Sequence, residues 1–203
     1  GRVSDPNGGI ETVNLATVGD SIINRLDTDL ATLNINGGGH VTISNALNNT
    51  VRTITSTGSG DITLSWAANT AFGGVAYTGS MTGTGVNNLT AGAGNDTITT
   101  FGGNDIIDGR SGDDTINAGE GDNTVRTGTG VNAVTTGDGE DTIFAQGSND
   151  TINSGGGNDV IDITAGGLTT VNAGDDSDLV IGTGGSFNAA PGFDMLNMGA
   201  GFD

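Results

Sequence analysis

Apolar and polar residues alternate in short runs along the chain, and these runs recur with two regular periods. From residue 82 to residue 162 the period is nine residues without an insertion, and the eighth position of each unit is Ile, Val or Leu. The units are TGTGVNNLT, AGAGNDTIT, TFGGNDIID, GRSGDDTIN, AGEGDNTVR, TGTGVNAVT, TGDGEDTIF, AQGSNDTIN and SGGGNDVID. Alternating runs are typical of strands with one buried face. The nonapeptides therefore predict a ladder of short strands, each placing one apolar side chain in a core.

Before residue 82 the same alternation has a longer period. Apolar positions recur once per longer unit, as in the sets Val13, Leu33, Ile54 and Ile23, Ile43, Leu64. Turns rich in Gly, Asn and Asp, at residues 36–39 and 58–61, separate these runs. Such self-similarity predicts solenoid coils of about 20 residues, each with two short strands. A short helical turn within residues 20–30 is an alternative for one segment.

The two periods are compatible with one continuous stack, because two nonapeptides together are nearly as long as one of the longer coils. We predict irregular β-solenoid coils over residues 1–81 and a nonapeptide roll over residues 82–203. The roll is regular to residue 162 and interrupted after it, since residues 163–172 and 182–188 form units of ten and seven residues. Bulges or loops are expected there.

Candidate metal ligands occupy the sixth position of the nonapeptide. That position is always Asp or Asn, and the fourth position is Gly in every unit except the one with Ser148. Glycine permits φ > 0 and lets backbone carbonyls turn inward, while the sixth side chain adds another oxygen. Calcium accepts six to eight oxygen ligands in flexible geometry, so these turns predict several Ca²⁺ ions. The candidates are Asp96, Asp105, Asp114, Asp141, Asp150, Asp159, Asn87, Asn123 and Asn132, and, in the interrupted part, Asp178, Asp194 and Asp203.

The composition makes a metal-free fold marginal. The net charge is −19, and the 39 glycines raise the entropic cost of ordering the chain. A solvated, highly soluble surface is the alternative explanation of the charge. However, a general solubility charge would not recur at one position of the repeat. The phasing therefore favours bound cations that contribute to folding.

Several functions are disfavoured by the residues present. Five basic residues are too few for a conventional nucleic-acid groove. The sequence also contains no run of about 18 apolar residues, so no membrane span is predicted. The absence of Cys excludes disulfides and thiolate metal sites. His40 has no partner at metal-ligand spacing, which disfavours zinc and copper. Neither His-Glu-x-x-His nor Gly-x-Ser-x-Gly occurs, and we expect the chain not to be an enzyme.

The repeat resembles the G-G-x-G-x-D-x-U-x unit of RTX calcium-binding proteins. The resemblance covers residues 82–162 without a break and residues 173–203 with interruptions. It departs at the first position, often Thr or Ala, and at the three Asn sites. It implies an all-β fold, a right-handed parallel β-solenoid or β-roll with calcium-binding turns. Alternate turns would then project to opposite sides, with each calcium between turns two repeats apart.

This family arrangement implies partners for each candidate ligand. One side would carry Asn87, Asp105, Asn123, Asp141 and Asp159, and the other Asp96, Asp114, Asn132 and Asp150. The firmest sites are expected at Asp96/Asp114 and Asp141/Asp159, which have two carboxylates. Pairs with Asn are expected to be weaker, and Asp159/Asp178 is a further candidate. At the fifth position, Asp122 and Glu140 could offset missing charge or face solvent; solvent is favoured.

The N-terminal part resembles calcium-binding S-layer proteins of Gram-negative bacteria, through GIETVNLAT at residues 9–17 and the Thr/Asn-rich strands. That resemblance implies type I secretion, folding in extracellular calcium at the bacterial cell surface, and self-association into a lattice. The alternative is the carboxyl-terminal RTX secretion and folding module of an exoenzyme, toxin or adhesin.

A third hypothesis is ligand binding along a flat solenoid face, to ice or to a cell-surface polysaccharide. Ice would require regular outward ranks of Thr, and TGTGVN occurs only at residues 82 and 127. Near the junction of the two coil types lie Trp66, Phe72 and Tyr77. Core packing or a junction plug is favoured for them over a sugar-binding platform.

Overall fold

The computed structural model describes residues 11–26, 30–67, 74–165, 167–182, 186–189 and 195–198. Within these ranges all regular secondary structure is β-strand, and no residue is helical. The helical alternative within residues 20–30 is replaced by a strand at Ser21–Ile23; residues 27–29 lie outside the described residues.

The strands form two parallel sheets. Each coil contributes one strand to each sheet, and successive coils run in the same direction. The first sheet contains β1 Thr12–Thr17, β3 Thr32–Gly37, β5 Thr53–Ser56, β7 Ala76–Thr78, β9 Thr97–Thr99, β11 Thr115–Gly119, β13 Ala133–Thr136, β15 Thr151–Asn153, β17 Thr170–Gly174 and β19 Ser186–Ala189. The second contains β2 Ser21–Ile23, β4 Val41–Ile43, β6 Ile62–Ser65, β8 Asn87–Thr90, β10 Ile106–Asp108, β12 Thr124–Gly128, β14 Thr142–Ala145, β16 Val160–Asp162, β18 Leu179–Gly182 and β20 Met195–Met198. The predicted parallel β-solenoid is confirmed, and its handedness stays a prediction.

Both sheets run without interruption from the long coils into the nonapeptide coils. In the first sheet, Ile54 pairs with Tyr77 and Tyr77 with Ile98. In the second sheet, Leu64 pairs with Leu89. The change at residue 82 is thus a change in coil length within continuous sheets. The division into two domains stays a prediction.

The core is a narrow column between the two sheets. The eighth-position residues of the nonapeptides are 0–1 % exposed: Leu89, Ile98, Ile107, Ile116, Val125, Val134, Ile143, Ile152 and Ile161. The sixth position and, from Ala91 onward, the first position are also buried. Because strand side chains alternate between faces, the seventh and ninth positions point outward. Small residues at the first position, such as Ala118 and Ser154, let the two sheets approach at the turn.

Left-handed backbone explains the glycines of the turns. Gly112 has φ of +124°, and a Cβ atom there would lie 2.4 Å from the carbonyl oxygen of Gly94 in the preceding coil. In the unit where Ser148 replaces this glycine, the positive φ moves to Asn149, at 63°. Asn tolerates this conformation better than most residues. The exception in the sequence is therefore accommodated by a shift to the next residue.

The interruption after residue 162 is absorbed by a turn. Strand β17 pairs with β15 so that Asn153 lies opposite Asn172, one position later than two regular nonapeptides would place its partner. This offset corresponds to the expected unit of ten residues at 163–172, and a register shift lies between Asn172 and Gly174. Shifts also occur inside the regular block, between Asn117 and Gly119, which the unbroken period did not indicate.

Candidate calcium sites

The sixth-position residues form two ladders, one along each edge of the solenoid. In the first ladder, each residue comes directly before a strand of the first sheet in the sequence; its members are Asp96, Asp114, Asn132 and Asp150. In the second ladder, each residue lies at or directly before the start of a strand of the second sheet; its members are Asn87, Asp105, Asn123, Asp141, Asp159 and Asp178. All ten side chains are buried, with exposures of 0–6 %. The structure thus brings together the residues expected on each side, and their role as metal ligands stays a prediction.

Along each ladder, Oδ1 of a sixth-position side chain accepts a hydrogen bond from the backbone N–H of the sixth-position residue in the preceding coil. The backbone N–H of Asp96 donates to Oδ1 of Asp114 at 2.8 Å, and that of Asp141 to Oδ1 of Asp159 at 2.9 Å. The same bond joins Asn87 to Asp105, Asp105 to Asn123, Asp114 to Asn132, Asn123 to Asp141, Asn132 to Asp150 and Asp159 to Asp178. Each ladder is therefore aligned by side chains before any ion is considered.

The second carboxylate oxygen distinguishes four of the aspartates. Within the described part of the chain, the buried Oδ2 atoms of Asp105, Asp114, Asp141 and Asp159 have no hydrogen-bond partner. Buried polar atoms are almost always satisfied, and a buried carboxylate without a partner is costly. These oxygens therefore fit a bound cation.

The same burial disfavours the ionised carboxylates when metal is absent. It raises the pKa of Asp114 to about 7 and that of Asp159 to about 6. It also raises the pKa of Asp105 and Asp141. In Asp159 the neighbouring charge of Asp141 adds to the effect of burial.

Neighbouring hydroxyls do not satisfy these oxygens. The Thr100 and Thr136 hydroxyls lie near Asp105 and Asp141 and partly offset the rise in their pKa. However, a hydroxyl has one proton, and Thr100 donates it to the Ala118 carbonyl at 2.8 Å. Thr136 donates to the Ser154 carbonyl at 2.6 Å, and Ser154, whose hydroxyl lies beside Asp159, donates to the Ala173 carbonyl. The Oδ2 atoms thus keep their capacity for a cation.

Two aspartates of the first ladder are satisfied by protein donors. Asp96 Oδ2 accepts the Trp66 Nε1–H and the Gly92 N–H, both at 3.1 Å. Its Oδ1 accepts the Val75 N–H at 2.5 Å. Asp150 Oδ2 accepts the Thr127 hydroxyl at 3.1 Å; it is the nearer of the two acceptors of that hydroxyl, since the Gly128 carbonyl lies at 3.2 Å. The pair Asp96/Asp114, expected among the firmest sites, therefore has only one carboxylate with an unsatisfied oxygen.

The aromatic residues at the junction close both ladders at the same end. The rings of Trp66 and Tyr77 stack with centroids 6.2 Å apart and an interplanar angle of 14°. The Tyr77 hydroxyl donates to Oδ1 of Asn87 at 2.6 Å, as Trp66 does to Asp96. Both rings are at most 1 % exposed, which confirms the expected core packing. We call this pair the aromatic cap; Phe72 lies outside the described residues.

The asparagines reveal which backbone carbonyls face the ladders. Asn123 Nδ2 donates to the carbonyls of Gly119 at 3.0 Å and Gly121 at 2.7 Å, both in its own turn. The amides of Asn87 and Asn132 also donate to Oδ1 of the next aspartate, Asp105 and Asp150, at 2.9 and 3.1 Å. An amide N–H₂ is a donor to oxygens that would otherwise be available to a cation. Where Asn stands, the side chain thus fills part of the site itself.

The available donors suit a hard cation. Among the described residues no three His, Cys, Asp or Glu side chains converge on one metal position, so carboxylates alone do not form a site. Turn carbonyls must complete it, and an all-oxygen set suits calcium. Beside Asp114 the first-position residue is Gly109, where a Cβ would lie 2.8 Å from the unsatisfied Oδ2. The missing side chain leaves space beside that oxygen.

The remaining candidates have separate outcomes. Asp178 lies on the second ladder, where its Oδ1 accepts the Asp159 N–H at 2.9 Å. Asp122 and Glu140 are exposed, as favoured, although Asp122 also accepts the Glu140 N–H at 2.9 Å. Asp194 and Asp203 lie outside the described residues.

Sequence spacing missed the partners of His40. Its Nδ1 lies 2.9 Å from Oδ2 of Asp61, and its Nε2 lies 3.9 Å from Oδ1 of Asp20. Both aspartates are about one coil away, and the coil period was the signal that could have found them. All three side chains are substantially exposed, so the contacts contribute little.

Comparison with known proteins supports the calcium assignment. The family model of the RTX calcium-binding nonapeptide repeat matches four times, over residues 81–116, 100–134, 110–143 and 126–161. No curated protein and no solved structure matches the chain. Residues 81–161 thus carry RTX calcium-binding repeats on a β-roll. The described residues include no helix long and apolar enough to cross a membrane.

Proposed function

We propose that the chain is the calcium-binding structural module of a secreted, self-assembling bacterial surface protein of the S-layer type. The observation that carries the calcium part is the line of unsatisfied, buried Oδ2 atoms of Asp105, Asp141 and Asp159 on the second ladder. They recur at intervals of one or two coils along a single edge. A row of ions there would hold successive coils together.

The second ladder is the principal site of this proposal. Asp141 and Asp159 would hold an ion together, with backbone carbonyls of the glycine turns completing its oxygen ligands. Bound calcium supplies positive charge that removes the repulsion between stacked carboxylates, and its binding energy adds to folding. On the first ladder, Asp114 is the candidate ligand. Asp96 is assigned instead to the junction, where its oxygens already have donors.

Folding outside the cell follows from this chemistry. At low calcium the buried carboxylates oppose closure of the roll, so the chain stays extended enough for export. At millimolar extracellular calcium the roll closes. Calcium-dependent folding outside the cell is equally expected of the alternative, an RTX module of an exoenzyme, toxin or adhesin. The surface-protein assignment is supported by the Thr/Asn-rich strands of the first sheet, which continues unbroken through the N-terminal coils.

Circular dichroism and calorimetry test the calcium part. Adding calcium to chelated protein should produce the β-sheet signal and heat of binding, whereas magnesium should do so weakly. An unchanged strand signal on chelation, with no calcium found by elemental analysis, would refute it. Electron microscopy then tests the surface assignment: two-dimensional arrays that require calcium support it, and calcium-bound protein that never forms arrays contradicts it.

A further inference from the structure

The outer face of the first sheet carries two straight columns of small, uncharged residues. The first column contains Thr12, Thr32, Thr53, Ala76, Thr97, Thr115, Ala133, Thr151, Thr170 and Ser186. The second contains Asn14, Asn34, Thr55, Thr78, Thr99, Asn117, Thr135, Asn153 and Asn172. We call this surface the Thr/Asn face. Its described positions are therefore all Thr, Asn, Ser or Ala.

The other sheet has no comparable surface among the described residues. Its outward columns include Asp108, Arg126, Phe144 and Asp162 in one line, and the exposed Ile22, Ile106 and Met195 in the other. The Arg126 guanidinium lies 4.4 Å from the centre of the Phe144 ring. One face of the solenoid is thus uneven and partly charged, while the Thr/Asn face is even and neutral.

The Thr/Asn face is also ordered along the axis. The Asn34 amide donates to Oδ1 of Asn14 at 2.8 Å, and the Asn172 amide to Oδ1 of Asn153 at 2.7 Å. Strand spacing fixes successive residues of a column at about 4.8 Å. Short side chains on a regular lattice lose little rotamer entropy when another surface covers them. The face is therefore suited to an equally regular partner.

We propose that the Thr/Asn face binds the Thr/Asn face of a second copy of this chain. This inference deepens the proposed function, because it names a self-association contact. Two copies with a net charge of −19 each repel one another wherever acidic turns meet. The Thr/Asn face is the broad surface on which copies can approach without opposing carboxylates. Flat sheet faces with small side chains pack about 10 Å apart, and aligned polar residues form dry interfaces between sheets.

The available area predicts a weak contact. Ten strands at about 4.8 Å give a length of about 43 Å, and two columns cover a width of about 14 Å. The footprint is then about 600 Å² per copy, or about 1,200 Å² in total, at the lower limit for specific interfaces. Dissociation in the micromolar range or weaker is expected. Such contacts suit an array, in which many copies act together.

Two other occupants are outcomes of the test. The face has no aromatic or charged side chain among its described positions, and sugar sites commonly rely on such groups. The nonapeptide sequences disfavour ice because TGTGVN occurs only twice, but the structure forms a Thr rank from other residues. Water at an ice surface would need the same lattice and therefore has to be tested directly.

Sedimentation velocity of the calcium-loaded chain over a range of concentrations tests the proposal. The unmodified chain should associate reversibly. Thr115→Asp adds a carboxylate at the centre of the Thr/Asn face. The same carboxylate on the second copy would face it, so the substitution should weaken association at least tenfold. Thr63→Asp is the matched control, since Thr63 is an exposed residue in the middle of strand β6 of the other sheet. It makes the same charge change and should leave association unchanged.

Salt and alternative ligands complete the test. Raising NaCl screens the repulsion between acidic copies and should strengthen association; weakening by salt would indicate calcium bridges and overturn the proposal. A chain that stays monomeric, or equal loss in both variants, would also overturn it. So would preferential adsorption to ice or to an insoluble neutral glucan that Thr115→Asp alone abolishes. Because calcium binding and folding are measured separately by calorimetry and circular dichroism, failure here is distinguishable from failure of the calcium proposal.

Discussion

The two ladders are built from one nonapeptide, yet they differ in how the second carboxylate oxygen is satisfied. On the second ladder, the Oδ2 atoms of Asp105, Asp141 and Asp159 have no partner in the described structure. On the first ladder, those of Asp96 and Asp150 accept hydrogen bonds from Trp66 and Thr127, and that of Asp114 has no partner in the described structure. The repeat therefore provides a carboxylate at most turns, while the donors that surround each carboxylate determine whether it is available to a metal.

A repeated ligand position therefore serves two purposes in one stack. A donor from the protein satisfies an oxygen at all calcium concentrations. A calcium ion does so only when calcium is present. The junction beneath the aromatic cap is consequently expected to be less dependent on calcium than the second ladder.

The largest expected effect is the pH dependence of the metal-free fold. Burial raises the pKa of Asp105, Asp114, Asp141 and Asp159 above unfolded values. The folded state then binds protons more tightly than the unfolded state. The contribution of these protonated carboxyl groups to stability is fully present below about pH 4. It is lost as the pH rises through about 6 to 7.

Urea unfolding in excess chelator should therefore show higher stability at pH 5 than at pH 8. With calcium the order should reverse, because protons compete with the metal for the same oxygens. Each unit of raised pKa corresponds to about 1.4 kcal/mol, and several carboxylates contribute. Metal-free stability that rose between pH 5 and pH 8 would contradict the proposed environment of these residues.

The second effect concerns the aromatic cap. Trp66→Phe removes the N–H donor to Asp96 Oδ2 and should lower the free energy of unfolding by about 1–3 kcal/mol, since a buried carboxyl oxygen loses a partner. Tyr77→Phe is the comparison on the other ladder: its acceptor is the neutral Asn87 amide, so the loss should be smaller, about 1 kcal/mol. Denaturation in calcium measures both. Equal losses of stability in the two variants would indicate lost packing instead of a lost donor to a carboxylate.

The third prediction separates the ladders by calcium binding. Asp159→Asn removes a carboxylate from the Asp141/Asp159 pair and should weaken calcium binding about tenfold or more, as changes in metal-site residues commonly do. The matched change Asp96→Asn should leave the calcium stoichiometry unchanged, because both Asp96 oxygens already accept N–H donors. Isothermal titration calorimetry measures both variants. Loss of an ion from Asp96→Asn would remove the distinction between the ladders.

The smallest expected effect is a gain of binding capacity. Asn123→Asp replaces the amide that donates to the Gly119 and Gly121 carbonyls with a carboxylate between Asp105 and Asp141. The variant should bind additional calcium and be less stable than the unmodified chain in chelator. Calcium stoichiometry by equilibrium dialysis checks this. An unchanged stoichiometry would mean that the amide does not limit the site.

Much of the stack was predictable because its determinants are local and periodic. The eighth-position residues, such as Ile107 and Ile143, were expected in the core and are buried there. The resemblance to the RTX repeat implied that Asp141 lies beside Asp159, and the structure places them in successive coils. In contrast, the unsatisfied oxygens and their pKa shifts depend on side-chain surroundings that no spacing specifies.

Sequence periodicity specified the coil length, the strand positions and the buried column, because a two-residue strand period and a fixed turn leave one register for stacking. The resemblance to the RTX repeat implied the edge on which each acidic residue lies. Three features required the folded structure: Trp66 reaches Asp96 in a later coil, Asn123 fills its own turn, and the described positions of one sheet present an uncharged face. These depend on which coils become neighbours and on which donors lie within about 3 Å of a buried oxygen. That distance is set by packing between coils and not by any single repeat.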